Sequence, residues 1–594
     1  MRLFDYRKVD VTGGYLAAKQ ELNRKITINA VYDRFADTGR IGAFDFQTDE
    51  VHYFWDSDVA KWMEGAAYLL AKQPDAALEQ KVESLIDKIE AHQGTDGYFN
   101  IYFTVKAPEK RFTDRSCHEL YCAGHLFEAA VAYAEATGRE RFLSCMEKYA
   151  DYIYKVFVVE KSAAFVTPGH EEIELALVRM YRYTGKKKYL DLATFFINER
   201  GVHEGELTDY CQSHKPVREQ TEAVGHSVRA VYLYSAMADL AYELKDEALK
   251  QACEALYTDI VTRKMYVTGG IGSCHLGETF SKAYDLPNEE AYTETCAGIG
   301  LMFFCRRMMR LDNRATYADT IERVFYNGVL SGMSLDGKSF FYENPLEITQ
   351  LDHFSNSYGA RRFPITQRLE CFGCSCCPPN INRLLPLLGE YLYGIEDDTL
   401  YVNQFASGVL KDGAIHCEMT TGYPVDGRVI LSARGVRRLA VRIPSWCASF
   451  TLNKPYTMKD GYAVFENDGE AVLDFDMTPF ALRSSDKVAK DVGKLCVQAG
   501  PIVYCAEGVD NGDNLHAFAI SPEFQAKPRY SEAMGLNVFE ISAERARKAE
   551  DGVLYARADS KEPAWEKATL RLVPYNVFAN RGETDMLVWF AERR

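Results

Sequence analysis

The hydrophobic pattern of this chain changes period once, near residue 395, and a single layered core cannot accommodate both halves. Upstream, apolar residues recur at helical spacing, as in Val59, Trp62, Met63, Ala66 and Leu70, and again in Ile173, Leu177, Met180 and Tyr181. Downstream, short alternating runs such as Leu439-Ala440-Val441-Arg442-Ile443 and Ala463-Val464-Phe465 are separated by Asp412-Gly413, Asp426-Gly427, Asp460-Gly461 and Asp468-Gly469. Those are antiparallel strands and hairpins, hence one or two β-sandwiches. At 594 residues the chain is too long for one core. The expected division is a helical domain at 1–395, a β-sandwich at 396–490 and a second β-sandwich at 491–594. The last boundary is set in the charged stretch 484–491, ahead of a strand-rich block that starts near Gly493.

The helical part carries a weak internal repeat. Ala136-Thr137-Gly138-Arg139 precedes Phe142-Leu143, and Tyr183-Thr184-Gly185-Lys186 precedes Tyr189-Leu190, about 47 residues on. Each glycine reads as the C-cap between two paired helices. Repeated helical hairpins build either an open solenoid or a closed toroid, and the period alone does not choose between them.

Net charge is −16 with no basic stripe, so nucleic acid and anionic membrane surfaces are poor partners. No apolar run is long enough to span a bilayer, and Met1-Arg2-Leu3-Phe4-Asp5-Tyr6 has no signal-peptide core. A cytoplasmic protein is expected. The 16 cysteines then read as reduced thiols or metal ligands, with Cys145, Cys253, Cys305 and Cys496 as small core residues. The 37 tyrosines and 33 phenylalanines suit a sugar-binding cleft and equally suit large helical cores.

Four cysteines fall within Cys371-Phe372-Gly373-Cys374-Ser375-Cys376-Cys377, and Glu294-Thr295-Cys296 offers a carboxylate and a thiol two residues apart. Thiolates are strong ligands for zinc, and a carboxylate can complete a tetrahedral set. Two sets compete: the local Cys371, Cys374, Cys376 and Cys377, and the split Glu294, Cys296, Cys376 and Cys377. Spacing slightly favours the local set, because short loops close cheaply.

His118 and His125 stand seven apart, so the HExxH zinc-protease motif is absent. His118, His125, His170 and His226 are read as standing at helix starts, several of them beside glycine, which points to a shared polar cleft. Glu278 follows Thr268-Gly269-Gly270-Ile271-Gly272, a segment that lacks the strand and the lysine of a phosphate loop. A general acid/base is the functional reading of that carboxyl.

These segments, in order, resemble glycoside hydrolase family 127, the β-L-arabinofuranosidase family. The resemblance runs from Trp55-Asp56-Ser57-Asp58-Val59-Ala60-Lys61-Trp62 and Asp96-Gly97-Tyr98 through Pro216-Val217-Arg218-Glu219-Gln220, Leu286-Pro287-Asn288 and Phe340-Phe341-Tyr342. It continues into Arg442-Ile443-Pro444-Ser445-Trp446 and Gly500-Pro501. It implies an (α/α)6 barrel catalytic domain followed by all-β sandwich domains, and Zn2+ bound by Glu294, Cys296, Cys376 and Cys377, which reverses the preference for the local set. It also implies Cys376 as nucleophile, Glu278 as general acid/base, and His118, His170, His226 and Tyr342 as substrate contacts.

The expected activity is retaining, exo-acting release of L-arabinofuranose from a small or oligosaccharide β-L-arabinofuranoside. The strand-rich half offers surface for a homodimer. The alternatives are a related glycosidase acting on another sugar, a sugar isomerase or epimerase using His118 and His226 on a helical toroid, and a carbohydrate-binding protein with structural cysteines.

Overall fold

The computed structural model describes residues 1–349, 365–547, 555, 557 and 564–593. Twelve of its helices alternate between outer and inner positions: α1 (Ile28–Asp37), α2 (Trp55–Lys72), α3 (Ala76–His92), α4 (Glu119–Thr137), α5 (Arg141–Tyr154), α6 (Ile173–Thr184), α7 (Lys187–Glu199), α8 (Ser227–Leu244), α9 (Glu247–Asp259), α10 (Thr295–Leu311), α11 (Ala315–Arg323) and α12 (Cys377–Leu384). The sequence separates the two kinds. The outer α3 buries one stripe, Leu78, Val82, Leu85, Ile86 and Ile89, and leaves the opposite face polar. The inner α2 is buried continuously from 56 to 69, and the inner α4 from 119 to 134, because protein surrounds them on every side.

Each inner helix packs on the next, α2 on α4, α4 on α6, α6 on α8, α8 on α10 and α10 on α12, and α12 returns to α2. The ring is therefore closed, which settles solenoid against toroid: the helical part is an (α/α)6 barrel. Closure requires a glycine. A Cβ on Gly65 of α2 would lie 2.9 Å from the Asn382 carbonyl carbon of α12, too close for any side chain.

The strands after α12 form two six-stranded sheets with one buried face each, as the alternating burial of Ile415–Thr421 shows. Arg2–Leu3 pairs with Tyr393–Glu396 at the edge of one sheet, and Val9–Val11 pairs with Gly408–Asp412 at the edge of the other. The first sandwich thus includes strands from ahead of the barrel. A third sheet is built on Lys494–Ala499, Ile502–Glu507, Leu536–Ala546 and Trp565–Pro574. Phe480–Leu482, on the near side of the expected 490/491 division, pairs with Lys494–Ala499, and Glu347–Ile348 joins the same sheet through Met586–Leu587.

Barrel and first sandwich are joined by buried charge. Arg442, fully buried, reaches Glu322 of α11 at 2.5 Å and Asp319 at 2.5 Å. Tyr423 Oη and Trp446 Nε1 also donate to Glu322, at 2.6 and 2.9 Å. A buried pair with this many hydrogen bonds fixes orientation, because removing one partner leaves a charge without solvent.

Candidate active site

The inner helices run parallel, and their N-termini gather at one end of the barrel around a cavity of about 590 Å³. Phe54, His118, His226, Glu294 and Cys376 are the N-cap residues of α2, α4, α8, α10 and α12, and His170 lies two residues before the N-cap of α6. All six line the cavity. Helix N-termini present unpaired N–H groups and partial positive charge, which favours anionic side chains there.

On one wall His226 Nδ1 accepts hydrogen bonds from the backbone N–H of Val228 (3.2 Å) and Arg229 (3.5 Å). Its proton is thereby placed on Nε2, which donates to Glu278 Oε2 at 2.9 Å. Burial pushes the imidazole down, against the opposing pull of Glu278. A neutral histidine thus orients the carboxyl. Glu278 sits in the left-handed region (φ 60°), directly after Gly277 (φ 73°), a conformation that the surrounding loops impose. Thr279 pairs with both His226 and Cys274, and Phe280 N–H donates to the Gly225 carbonyl at 2.9 Å.

His118 Nδ1 lies 2.9 Å from the Ser116 carbonyl and His170 Nδ1 lies 3.2 Å from that of Glu171. Each must donate from Nδ1, leaving Nε2 as an acceptor. Burial, then the nearby Arg229 guanidinium, pushes His118 down to about 3 and His170 well below the usual range. The rings of His118 and His170 stand 5.1 Å apart, and those of His170 and His226 5.6 Å, so three neutral imidazoles form a row.

On the floor, one donor atom from each of Glu294, Cys296, Cys376 and Cys377 falls within 4.8 Å of the others. Cys296 Sγ is 3.4 Å from both Cys376 Sγ and Cys377 Sγ, and those two are 3.8 Å apart. Glu294 Oε1 lies 3.4 Å from Cys376 Sγ and 3.7 Å from Cys377 Sγ. Cys371 and Cys374 are outside this cluster: Cys371 Sγ faces Ser375 Oγ at 3.4 Å, and Cys374 Sγ lies 3.8 Å from Tyr342 Oη. Tyr342 Oη is also 3.2 Å from Cys376 Sγ.

The donor set fits a soft divalent cation. Sulfurs bound tetrahedrally at about 2.3 Å stand about 3.8 Å apart, close to the spacing observed. Glu294 Oε2 is buried without a hydrogen-bond partner, a costly state for a carboxylate. Burial, then the charge of Cys376, pushes the Glu294 carboxyl well up, and burial with the Cys296 thiol does the same to Cys377. Burial also opposes ionisation of Cys296, yet hydrogen bonds from Cys376 and Cys377 outweigh it and leave that thiol at about 6. Four groups that ligate as anions repel one another at these distances, and a cation removes the conflict. A second group, Glu64, His125 and Glu128, is also within ligating distance. Its carboxylates are already matched by Arg383, 2.8 Å from each, so it is an ion network.

Several supporting residues escape a reading of the sequence alone. Arg40 pairs with buried Asp58 at 2.9 Å and donates to the Phe372 and Gly373 carbonyls, tethering the cysteine loop. Arg383 donates to Asn380 on its own helix, to Glu64 and Glu128, and to Tyr232. Asn344 donates to the Thr293 carbonyl and to Thr295 Oγ1, setting Tyr342 beside Glu294. Arginines among acidic motifs were the signal available, but the carbonyls that Arg40 meets lie 332 and 333 residues away and the carboxylates that Arg383 meets 319 and 255.

An imidazole-held carboxyl facing acceptor imidazoles across the cavity of a helical barrel is the arrangement of an enzyme that works by proton transfer. Comparison with known proteins narrows this to the glycoside hydrolases. The family description "Beta-L-arabinofuranosidase, GH127 catalytic domain" matches residues 8–390, and the glycoside hydrolase family 127 C-terminal domain matches residues 479–591. The chain belongs to glycoside hydrolase family 127. It is 36% identical to a non-reducing end β-L-arabinofuranosidase of Bifidobacterium longum subsp. longum, over 91% of this chain and 90% of that one. The crystal structure of a GH127 β-L-arabinofuranosidase from Geobacillus stearothermophilus T6 superposes with a TM-score of 0.91 at 39% identity, covering 98% of this chain and all of that one. A second GH127 β-arabinofuranosidase superposes with a TM-score of 0.90 at 34% identity, covering 100% and 98%. Among the described residues no helix is long and apolar enough to cross a membrane.

The depressed histidines make a stability prediction. Between about pH 6.5 and the lowered native value, an unfolded histidine binds a proton that His170 in the folded protein refuses. Its contribution is present above about pH 6.5 and is lost as pH falls. Buried carboxyls such as Asp56 and Glu119, both raised by burial to about 7, act in the opposite sense, so the test must isolate one group. Thermal unfolding of wild type and His170→Gln is compared from pH 7.5 to 5. Wild type should lose stability relative to the variant by up to about 1.4 kcal/mol per pH unit below 6.5. A constant difference would show that His170 is not held neutral.

Proposed function

We propose that the protein is a retaining, exo-acting β-L-arabinofuranosidase in which Cys376 is the nucleophile and Glu278 the general acid/base. The observation that supports this most is one cavity holding the His226–Glu278 pair and a cysteine inside a four-donor cluster. Two family 127 relatives named for this activity align over nearly their whole length. Glu294, Cys296, Cys376 and Cys377 would hold zinc. When bound, zinc keeps the cysteine sulfurs deprotonated at neutral pH, where a free thiol near 8.5 is mostly protonated.

The chain's own groups would then act as follows. His118, His170 and Tyr342 bind the hydroxyls of the furanose ring and set its anomeric carbon against Cys376. Cys376 Sγ bonds to that carbon as the glycosidic C–O bond breaks, and Glu278 gives its proton to the departing oxygen. His226, neutral and donating from Nε2, holds the carboxyl in place. Glu278, now ionised, takes a proton from a water molecule whose oxygen displaces the cysteine sulfur. Two inversions retain the anomeric configuration. The thiols must stay reduced throughout. All 16 cysteines are free, which supports work in a reducing compartment such as the cytoplasm.

Three outcomes test the reading. Zinc content should fall in Cys296→Ser and stay near wild type in Cys371→Ser, and the reverse pattern would assign the metal to the local cysteines. Glu278→Gln should lose about a hundredfold or more on an arabinofuranosyl disaccharide, yet far less in the first step on an activated aryl glycoside, whose oxygen leaves without a proton. Equal losses would remove the acid role. A mechanism-based β-L-arabinofuranosyl reagent should label the 371–383 peptide on Cys376. Label on Glu294, or an inverted product, would end the proposal.

A further inference from the structure

We propose that Tyr210 is the platform for the leaving group, carrying the second sugar ring of a disaccharide substrate. This rests on the reading of Glu278 as the acid and of Cys376 as the nucleophile. A nucleophile and an acid work from opposite sides of the scissile bond, so the leaving group departs on the Glu278 side, past Gly277. Tyr210 is the aromatic side chain on that side. A Cβ on Gly277 would lie 3.4 Å from Tyr210 Cε2, and the ring stands edge-on to His226 with centroids 5.7 Å apart. It lines the same cavity as Glu278, and 39% of the residue remains exposed.

The ring stands on a backbone that is tied down. Tyr210 N–H donates to Thr208 Oγ1 at 3.2 Å, and its carbonyl accepts from His226 N–H at 3.1 Å and from Gln212 Nε2 at 3.3 Å. Gln212 Nε2 also donates to the Val224 carbonyl at 2.8 Å, tying the same two loops together. From below, the Arg229 guanidinium packs on the ring at 4.4 Å and is itself fixed by a 2.6 Å hydrogen bond to the Gly169 carbonyl. A large aromatic surface fixed before binding loses little conformational freedom when a ligand stacks on it. Arg229 is only 4% exposed, so the ring roofs over its charge. What meets the leaving group is an apolar face, which suits the C–H face of a neutral sugar better than an anionic group.

The test compares wild type with Tyr210→Ala and Tyr210→Phe on two substrates: an arabinofuranosyl disaccharide, and methyl β-L-arabinofuranoside, whose leaving group is too small to reach the ring. Tyr210→Ala should lose about tenfold in kcat/KM on the disaccharide and little on the methyl glycoside. Inhibition by free L-arabinose, a single ring with no leaving group, should be unchanged, and Tyr210→Phe should behave as wild type. Equal losses on both substrates, weaker inhibition by arabinose, or an unaffected disaccharide would overturn the assignment. A wild-type enzyme inactive on both glycosides would overturn the underlying reading, and the subsite with it.

Discussion

Arg383 is the group on which the barrel's closure depends. It is 1% exposed, and its guanidinium meets Glu64 from α2, Glu128 from α4, Tyr232 from α8 and Asn380 from its own α12. Four helices of the inner ring therefore share one buried cation. Burying it costs several kcal/mol unless every donor is matched, and here the two carboxylates sit 2.8 Å away. The same short helix carries Cys377 at its first turn and has Cys376 as its N-cap. Closing the ring and assembling the cluster with Glu294 and Cys296 of the neighbouring α10 are one event. A loose α12 would leave an open barrel and scatter the four donors.

Convergence of the inner N-termini explains why so many functional types meet in so small a volume. Each helix end adds partial positive charge and unpaired N–H groups, and the chain places an acceptor at nearly every one. His226 spends its Nδ1 lone pair on its own helix and so fixes its tautomer before any ligand arrives. Burial, helped by the positive charge of Arg229 one turn further along, keeps His118 and His170 neutral. At the opposite end of the barrel arginines gather on carboxylates: Arg182, Arg307 and Arg310 converge on Asp239, and Arg306 meets Glu390. The two ends differ in chemistry because the helix ends differ in polarity.

The sequence is most informative where chemistry is local. The change of period near residue 395 separates barrel from strands, and Gly138 and Gly185 do cap α4 and α6, with φ of 72° and 70°. The histidines at helix starts mark the cavity because an N-cap is a local event. Elements that depend on distant partners are silent. Nothing near Arg2 or Val9 says that these strands will edge a sandwich built after residue 392, because a two- or three-residue strand has no periodicity to read. Spacing favours local company for Cys376: loop entropy pairs it with Cys371 and Cys374, whereas the fold gathers Glu294 and Cys296 around it from another helix. The roles of Arg40, Asp58 and Tyr210 are equally invisible, since each is defined by a contact between loop and helix that no local pattern announces.

Those two edge strands bear on how the protein is made. Arg2 pairs with Ile395 and Val9 with Leu410, so on the ribosome both strands must wait for the whole barrel to emerge before they find their partners. Until then the two strands are free to pair elsewhere. Pairings so remote in sequence are slow to form, because the loop must close before any contact rewards it. The barrel brings its two ends together and thereby shortens that search. It is catalytic scaffold and folding template in one.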